Sequence, residues 1–261
     1  MGVKHYMDKL DKITLNLFGF QILLWHGDTL VMDRWRWLQK RIGLERTLLD
    51  VGCGSGAFTI GFALHGINSL GLSWDDHNNQ KAINRANILH AWNAQFKTFD
   101  IRNLKYETVF HGKFDLVLCC EVIEHIIDDE GLMKGMAHCL RPGGRLLLTS
   151  PNYDFTPMYG EDHDAIGSFE DGGHVRRGYT MEGLKRIAIA AGLTPTEITY
   201  CSGMISQYVT GMQRRISRWS WLLGYVATLP LRLLTVVDPV VTFITKWPQY
   251  SICLEARKPL E

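Results

Sequence analysis

Residues 48–59 read LLDVGCGSGAFT: an apolar run closing on Asp50 and Val51, then glycine at every second position, 52, 54 and 56. A short apolar run bounded by glycine reads as a buried strand, and the apolar residues resuming at Ala57 and Phe58 read as the start of a helix. Strand, glycine-rich turn and helix together present unpaired backbone N–H groups at a helix start. Glycine there lets a ligand touch main chain where a side chain would collide. The stretch therefore predicts a nucleotide-like ligand at the carboxyl end of a sheet strand.

Outward from this point, strands and helices alternate. RTLLDV (46–51), INSLGLS (67–73), AQFKTFD (94–100), KFDLVLCC (113–120), RLLLTSP (145–151), TPTEITYCSG (194–203) and YSICLEARK (250–258) read as strands. GAFTIGFALHG, DDHNNQKAINRANILHAW, DEGLMKGMAHCL and YTMEGLKRIAIAAGL lie between them as helices. That order predicts an α/β fold with a largely parallel sheet covered on both faces. Residues 5–43 read as two helices bent near HGDT. Residues 151–178 form a long polar, aromatic, glycine-rich loop of the kind that carries function.

With 261 residues, 46% hydrophobic and 21% charged, the chain has the makeup of one ordinary globular domain plus a cap. A net charge of +1 gives no global field for nucleic acid, so none is expected as a partner. The six cysteines show no CxxC pairing and read as buried thiols of a reducing compartment. The charged N-terminus lacks a signal-peptide core, and Tyr6 stands where a myristoylation signal has Ser or Thr, so a cytoplasmic location is expected.

The spacing of Gly52, Gly54 and Ala57 satisfies the dinucleotide fingerprint GxGxx(G/A), so the glycines alone do not discriminate. Three features do. Asp50 precedes the first glycine by two, the second strand ends in Ser73 rather than an acid, and the third ends in Phe99, Asp100 and Ile101. A carboxylate beside an aliphatic residue suits an adenine, and together the three favour an adenosine ligand without phosphates.

On these residues the chain resembles the class I S-adenosylmethionine-dependent methyltransferases. LLDVGCGSG matches their cofactor loop, FDI their adenine site, FDLVLCCEVIEHI their fourth strand and LRPGGRLLLTSP their fifth, over roughly residues 46–200. The resemblance implies a Rossmann-like seven-stranded sheet with the last strand antiparallel. It implies S-adenosyl-L-methionine as cofactor and S-adenosyl-L-homocysteine as product. It also implies cofactor contacts at Asp50, Gly52, Cys53, Gly54, Gly56, Asp100, Ile101 and the backbone around Cys120. Ser73 departs from the family's ribose-binding acid. GLSWDDHN is similar to a pattern of cyclopropane-fatty-acid synthases and sterol methyltransferases, which assigns the ribose to Ser73, Trp74 and Asn78.

For the chemistry, Glu121, Glu124 and His125 follow the fourth strand, where the family places the methyl group. Glu121 is expected to face the cofactor's charged end. His125 reads equally as a general base or as a brace for the next helix, and Glu124 reads as a brace. FEDGGHVRRGYT resembles a GHVR segment of related bacterial methyltransferases, which makes His174 and Arg176 active-site wall and Tyr153 and Tyr159 acceptor contacts. No metal is expected. Asp162, His163 and Asp164 lack a diagnostic ligand spacing.

The chain divides into an N-terminal helical cap (1–43), the cofactor-binding core (44–203), a hydrophobic helical insertion (204–247) and the final strand (248–261). The insertion is too interrupted by charge to span a bilayer. Three roles fit residues 214–247, in order of preference: a roof over an apolar acceptor, a membrane-peripheral surface marked by Arg214, Arg215, Arg218, Trp219 and Trp221, and a homodimer interface. The expected reaction is SN2 methyl transfer to O, N or C of a small or lipid-like acceptor. Two other classes compete: a nicotinamide-dependent oxidoreductase, which Ser73 disfavours, and a catalytically silent cofactor-binding subunit, which the aromatic and histidine content of 151–178 disfavours.

Overall fold

A computed structural model describes residues 12–26, 28–156, 167–170 and 172–260. Its centre is β1 (Thr47–Val51), buried on both faces and hydrogen-bonded in parallel to β2 (Asn68–Ser73) on one side and β4 (Phe114–Cys120) on the other. With β3 (Ala94–Thr98), β5 (Leu140–Pro151), β6 (Thr194–Cys201) and β7 (Ser251–Arg257), the sheet runs β3-β2-β1-β4-β5-β7-β6. Only β7 is antiparallel to its neighbours β5 and β6, as expected. The chain departs from β1 in opposite directions toward β2 and β4. A crevice therefore opens beyond their carboxyl ends, where α/β sheets bind ligands.

Strand alternation sorts the core into two layers. Leu48, Leu116, Leu118, Leu147 and Cys253 point to one face, against Trp35, Trp37 and Leu38 of α3 (Thr29–Gln39) and Phe62 of α4 (Ala57–Leu64). Their chain neighbours Leu49, Val117, Cys119, Leu146 and Leu254 point to the other, against α6 (Asp129–Cys139) and α7 (Met181–Ala190). α5 (Asp76–Ile88) covers the β2–β3 edge. Asp28, Asp75 and Thr180 cap α3, α5 and α7 by accepting backbone N–H bonds. All six cysteines are free.

The N-terminal reading needs a correction. The described residues before β1 form three helices, 12–18 (α1), Gln21–His26 (α2) and α3, because Gly19 takes φ +60° and breaks the first.

Between β6 and β7 lie α8 (Met204–Ser217), α9 (Trp221–Thr228), a 3-10 stretch (Pro230–Val236) and α10 (Asp238–Thr245). α3 docks on α8: the Thr29 hydroxyl donates to the Ser206 carbonyl at 2.6 Å, and Arg214 pairs with Asp28 at 3.0 Å. Asp238 holds the start of α8, accepting from the Ile205 and Ser206 N–H groups at 2.8 and 3.0 Å. The inward positions of α9 and α10 are small, polar or charged, and their large apolar side chains are largely exposed, away from the cores of the sheet.

Candidate active site

The crevice holds a cavity of about 330 Å³ lined by residues that follow four different strands. Gly52 and Gly54 come from the turn after β1; Ser73, Trp74 and Asn78 from β2 and the start of α5. Asp100 and Ile101 follow β3, and Val122, His125 and Ile126 follow β4. Gly52 and Gly54 both have positive φ, +82° and +51°. They differ in what a side chain would meet. A Cβ at Gly52 would lie 2.5 Å from Val122, so this glycine lets the β1 turn close on the β4 turn. A Cβ at Gly54 would meet no protein atom within 4 Å, so its missing side chain leaves room for a ligand in the cavity.

Several expected contacts are drawn together here, and others are not. The Asp50 carboxylate points away from the cavity and accepts the Thr59 hydroxyl at 2.6 Å; burial raises its pKa to about 6. It ties β1 to α4, shaping the glycine turn from behind. The Cys53 thiol packs toward Gly71 of β2, and burial holds it protonated well above the usual thiol range. Gly56 serves packing too, since a Cβ there would lie 2.7 Å from Ala82 and Phe96. The Cys120 thiol is likewise pushed up by burial and lies outside the cavity lining.

Glu121 is the largest correction. Its backbone takes φ +51°, a left-handed turn uncommon for a non-glycine residue. The side chain accepts the Ser251 hydroxyl, at the start of β7, at 3.0 Å and faces Arg34 of α3 in the cap at 3.8 Å. It does not line the cavity.

His125 does line it. Nδ1 lies 3.0 Å from the Gly173 carbonyl, which can only accept, so Nδ1 carries the ring proton and Nε2 the lone pair of the neutral ring. The Glu124 Oε1 lies 3.9 Å from Nε2. Glu124 is fully buried; its Oε2 accepts the Ser150 hydroxyl at 3.1 Å, and its Oε1 has no hydrogen-bond partner among the described residues. Burial, with the neighbouring Glu121 charge adding to it, raises this carboxyl well above the ordinary range. His174 stands behind His125, ring centroids 4.6 Å apart, outside the lining. Glu124, His125 and His174 each bring one ligand atom into a group within 4.8 Å.

Arg176 is a brace rather than a wall: it bonds Asp129, the Tyr179 hydroxyl at 2.8 Å and the Ile126 carbonyl at 2.7 Å. Tyr153 sits exposed under Arg177, away from the cavity. Tyr159, Asp162, His163 and Asp164 lie outside the described residues.

Sequence reasoning missed Arg102, Glu170 and Gly172. Arg102 forks onto Asp100, with Nη2 2.6 Å and Nε 2.8 Å from its oxygens, and this bonding lowers the Asp100 pKa. Its other arm donates to Glu170 at 3.0 Å, and Glu170 also accepts the Ile127 N–H at 2.5 Å. These bonds latch Glu170, which lines the cavity, to the segments after β3 and β4. The i, i+2 spacing of Asp100 and Arg102 was the available signal for the first pair. Nothing in sequence marks the second.

The residues present fit an adenosine-type cofactor. Gly54 leaves contact space, Ile101 offers an apolar wall, and Asp100 brings a carboxylate to the lining, each of whose oxygens already accepts two bonds from Arg102. Ser73, Trp74 and Asn78 lie together at the rim.

A family profile described as a methyltransferase domain matches residues 28–198, and the chain belongs to that family. That places it in the S-adenosylmethionine-dependent methyltransferase superfamily, with the class I fold. The ubiquinone biosynthesis O-methyltransferase of Coxiella burnetii is 29% identical over 123 residues, 47% of this chain and 51% of that protein. The chain thus spans about half the length of the curated relatives it matches. Among solved structures, the Haemonchus contortus phosphoethanolamine N-methyltransferase 2 complex with S-adenosyl-L-methionine aligns with TM-score 0.64 and 18% identity over 95% of this chain and 60% of that one. The [4+2]-cyclase SpnF aligns with TM-score 0.63 and 19% identity over 88% and 83%. At such identities the likeness establishes the fold; a cyclase among the neighbours shows that this fold does not by itself fix the reaction.

Proposed function

We propose that this chain transfers the methyl group of S-adenosyl-L-methionine to a hydroxyl oxygen of a small, apolar acceptor, with His125 taking the acceptor's proton. The observation that carries the reading is the Gly173 carbonyl on Nδ1, which leaves Nε2 of a cavity-lining imidazole as a proton acceptor. The oxygen acceptor is further supported by the curated relatives' description as O-methyltransferases of ubiquinone biosynthesis, ubiquinone itself being a lipid.

The bound cofactor would be held by Gly52, Gly54, Ser73, Trp74, Asn78, Asp100 and Ile101, and supplies an electrophilic methyl on a sulfonium with a neutral thioether as leaving group. The chain's own work is positioning and proton removal. The Arg102–Glu170 latch and the walls of Val122 and Ile126 limit water at the site. As the acceptor oxygen bonds the methyl carbon, its proton passes to Nε2 and the ring becomes a cation. The buried Glu124 carboxyl then has a positive neighbour that favours its ionised form.

The test is turnover of hydroxylated alkyl phenols, read as S-adenosylhomocysteine release and a mass gain of one methyl. His125→Gln is expected to lower kcat by roughly 10²–10⁴, and Glu124→Gln by about tenfold. S-adenosylhomocysteine affinity should stay within about threefold in both variants. Dialysis against EDTA should leave turnover unchanged. Activity lost to EDTA and restored by a divalent cation would make His125 a ligand, and the base assignment would fall.

A further inference from the structure

The helices between β6 and β7 are built inside out. Along α9, the 3-10 stretch and α10 the buried positions are Gly224, Thr228, Arg232, Thr235, Asp238 and Thr242, spaced three or four residues apart. Each is small, polar or charged. Their polar groups are met internally: Thr228 donates to the Gly224 carbonyl at 2.8 Å, Arg232 to Gln213 at 2.8 Å and Thr242 to Asp238 at 2.9 Å. The positions between and beside them carry Leu222, Val226, Leu233, Val236, Phe243 and Ile244, all exposed, with Phe243 83% exposed. A helix that merely closes its own domain turns its apolar stripe inward. This one turns it out, and a concentration of exposed large apolar side chains marks an interaction surface.

The charges say which kind. From residue 204 to 247 the one acid is Asp238, and it is buried on the start of α8. The exposed charged residues of the segment are Arg214, Arg215, Arg218 and Lys246, all cationic. Trp219, beside Arg218, is 90% exposed. Basic residues and an interfacial tryptophan around an apolar face match the surface of an anionic bilayer. A two-fold contact with a second copy would set this collar against itself with no exposed acid in the segment to pair it. Among the described residues no helix is long and apolar enough to cross a membrane.

We propose that the α9–α10 face, collared by Arg218 and Lys246, docks the enzyme on an anionic lipid surface without spanning it. The inference rests on the cap alone and does not depend on which acceptor atom is methylated.

Co-sedimentation of the full chain with large unilamellar vesicles tests it. Phosphatidylcholine:phosphatidylglycerol (3:1) vesicles should bind the chain about tenfold more tightly, or better, than pure phosphatidylcholine. The double variants Leu233→Ser/Phe243→Ser and Arg218→Glu/Lys246→Glu should each weaken that binding by about tenfold or more. Unchanged S-adenosylhomocysteine affinity reports that both variants remain folded. Failure of the wild-type chain to bind either vesicle, or binding that the apolar variant leaves intact, overturns the proposal. So does a dimer in sedimentation velocity that Leu233→Ser/Phe243→Ser converts to monomer, because the face would then belong to a second copy.

Discussion

Gly54→Ala separates what the glycine turn does for the fold from what it does for the ligand. The residue sits at φ +51°, and a Cβ there meets no protein atom within 4 Å. The folded protein therefore bears only the left-handed backbone penalty, about 1–2 kcal/mol, a fall in Tm of roughly 2–8 °C for a chain of this size. Gly192, after α7, is a matched control: φ +80°, no atom within 4 Å, and no part in the cavity. Gly192→Ala should show the same thermal loss. The two should part in calorimetry with S-adenosylhomocysteine. At Gly54 the methyl occupies space the ligand needs, and overpacking of about 1–3 kcal/mol corresponds to roughly 5- to 150-fold weaker binding. Gly192→Ala should bind like the wild type. Equal affinities in the two variants would refute the reasoning, because the open space at position 54 would then not be where the ligand lies.

Further outcomes follow from other buried groups. Asp50 has a folded pKa of about 6, above its unfolded value, so its contribution to stability falls as pH rises from about 4 to 6 and the penalty is complete above that. Asp50→Asn should match the wild type near pH 4 and exceed it at pH 7.5 by up to about 3 kcal/mol in urea unfolding; an unchanged pH slope would contradict this. Asp238→Ala removes the acceptor for two α8 N–H groups and should cost about 2–4 kcal/mol, seen as a lower Tm. A melt equal to wild type would mean the cap is held elsewhere. Glu170→Ala cuts the latch to Arg102 and Ile127, and stopped-flow should show S-adenosylhomocysteine leaving about three- to tenfold faster. An unchanged off-rate would show that the loop does not gate the cavity.

The centre of the sheet was legible because β1, β4 and the second half of β5 are apolar runs bounded by glycine or by polar turns, and the outer strands because they alternate with helical segments. The cavity rim was legible where it follows directly on a strand: Ser73, Trp74 and Asn78 after β2, Asp100 and Ile101 after β3. Asp50 was misread although the signal existed. It shares a strand face with Leu48, which packs toward α4, and Thr59 on that helix takes its carboxylate. Glu121 was misread for a different reason, since its direction depends on a positive φ that its residue type does not announce. Glu170 reaches the site from 68 residues beyond Arg102, a distance local pattern does not encode. The inverted cap was half legible: composition showed apolar and basic residues side by side, but which face turns outward depends on packing against α3 and α8.

A crystal structure of the chain with S-adenosyl-L-homocysteine tests the central claim most directly. The nucleoside should lie against the bare backbone of Gly52 and Gly54, its purine beside Asp100 and Ile101 and its ribose near Ser73 and Asn78. A crevice empty at saturating ligand, or one that instead takes the pyrophosphate of a dinucleotide, would contradict it.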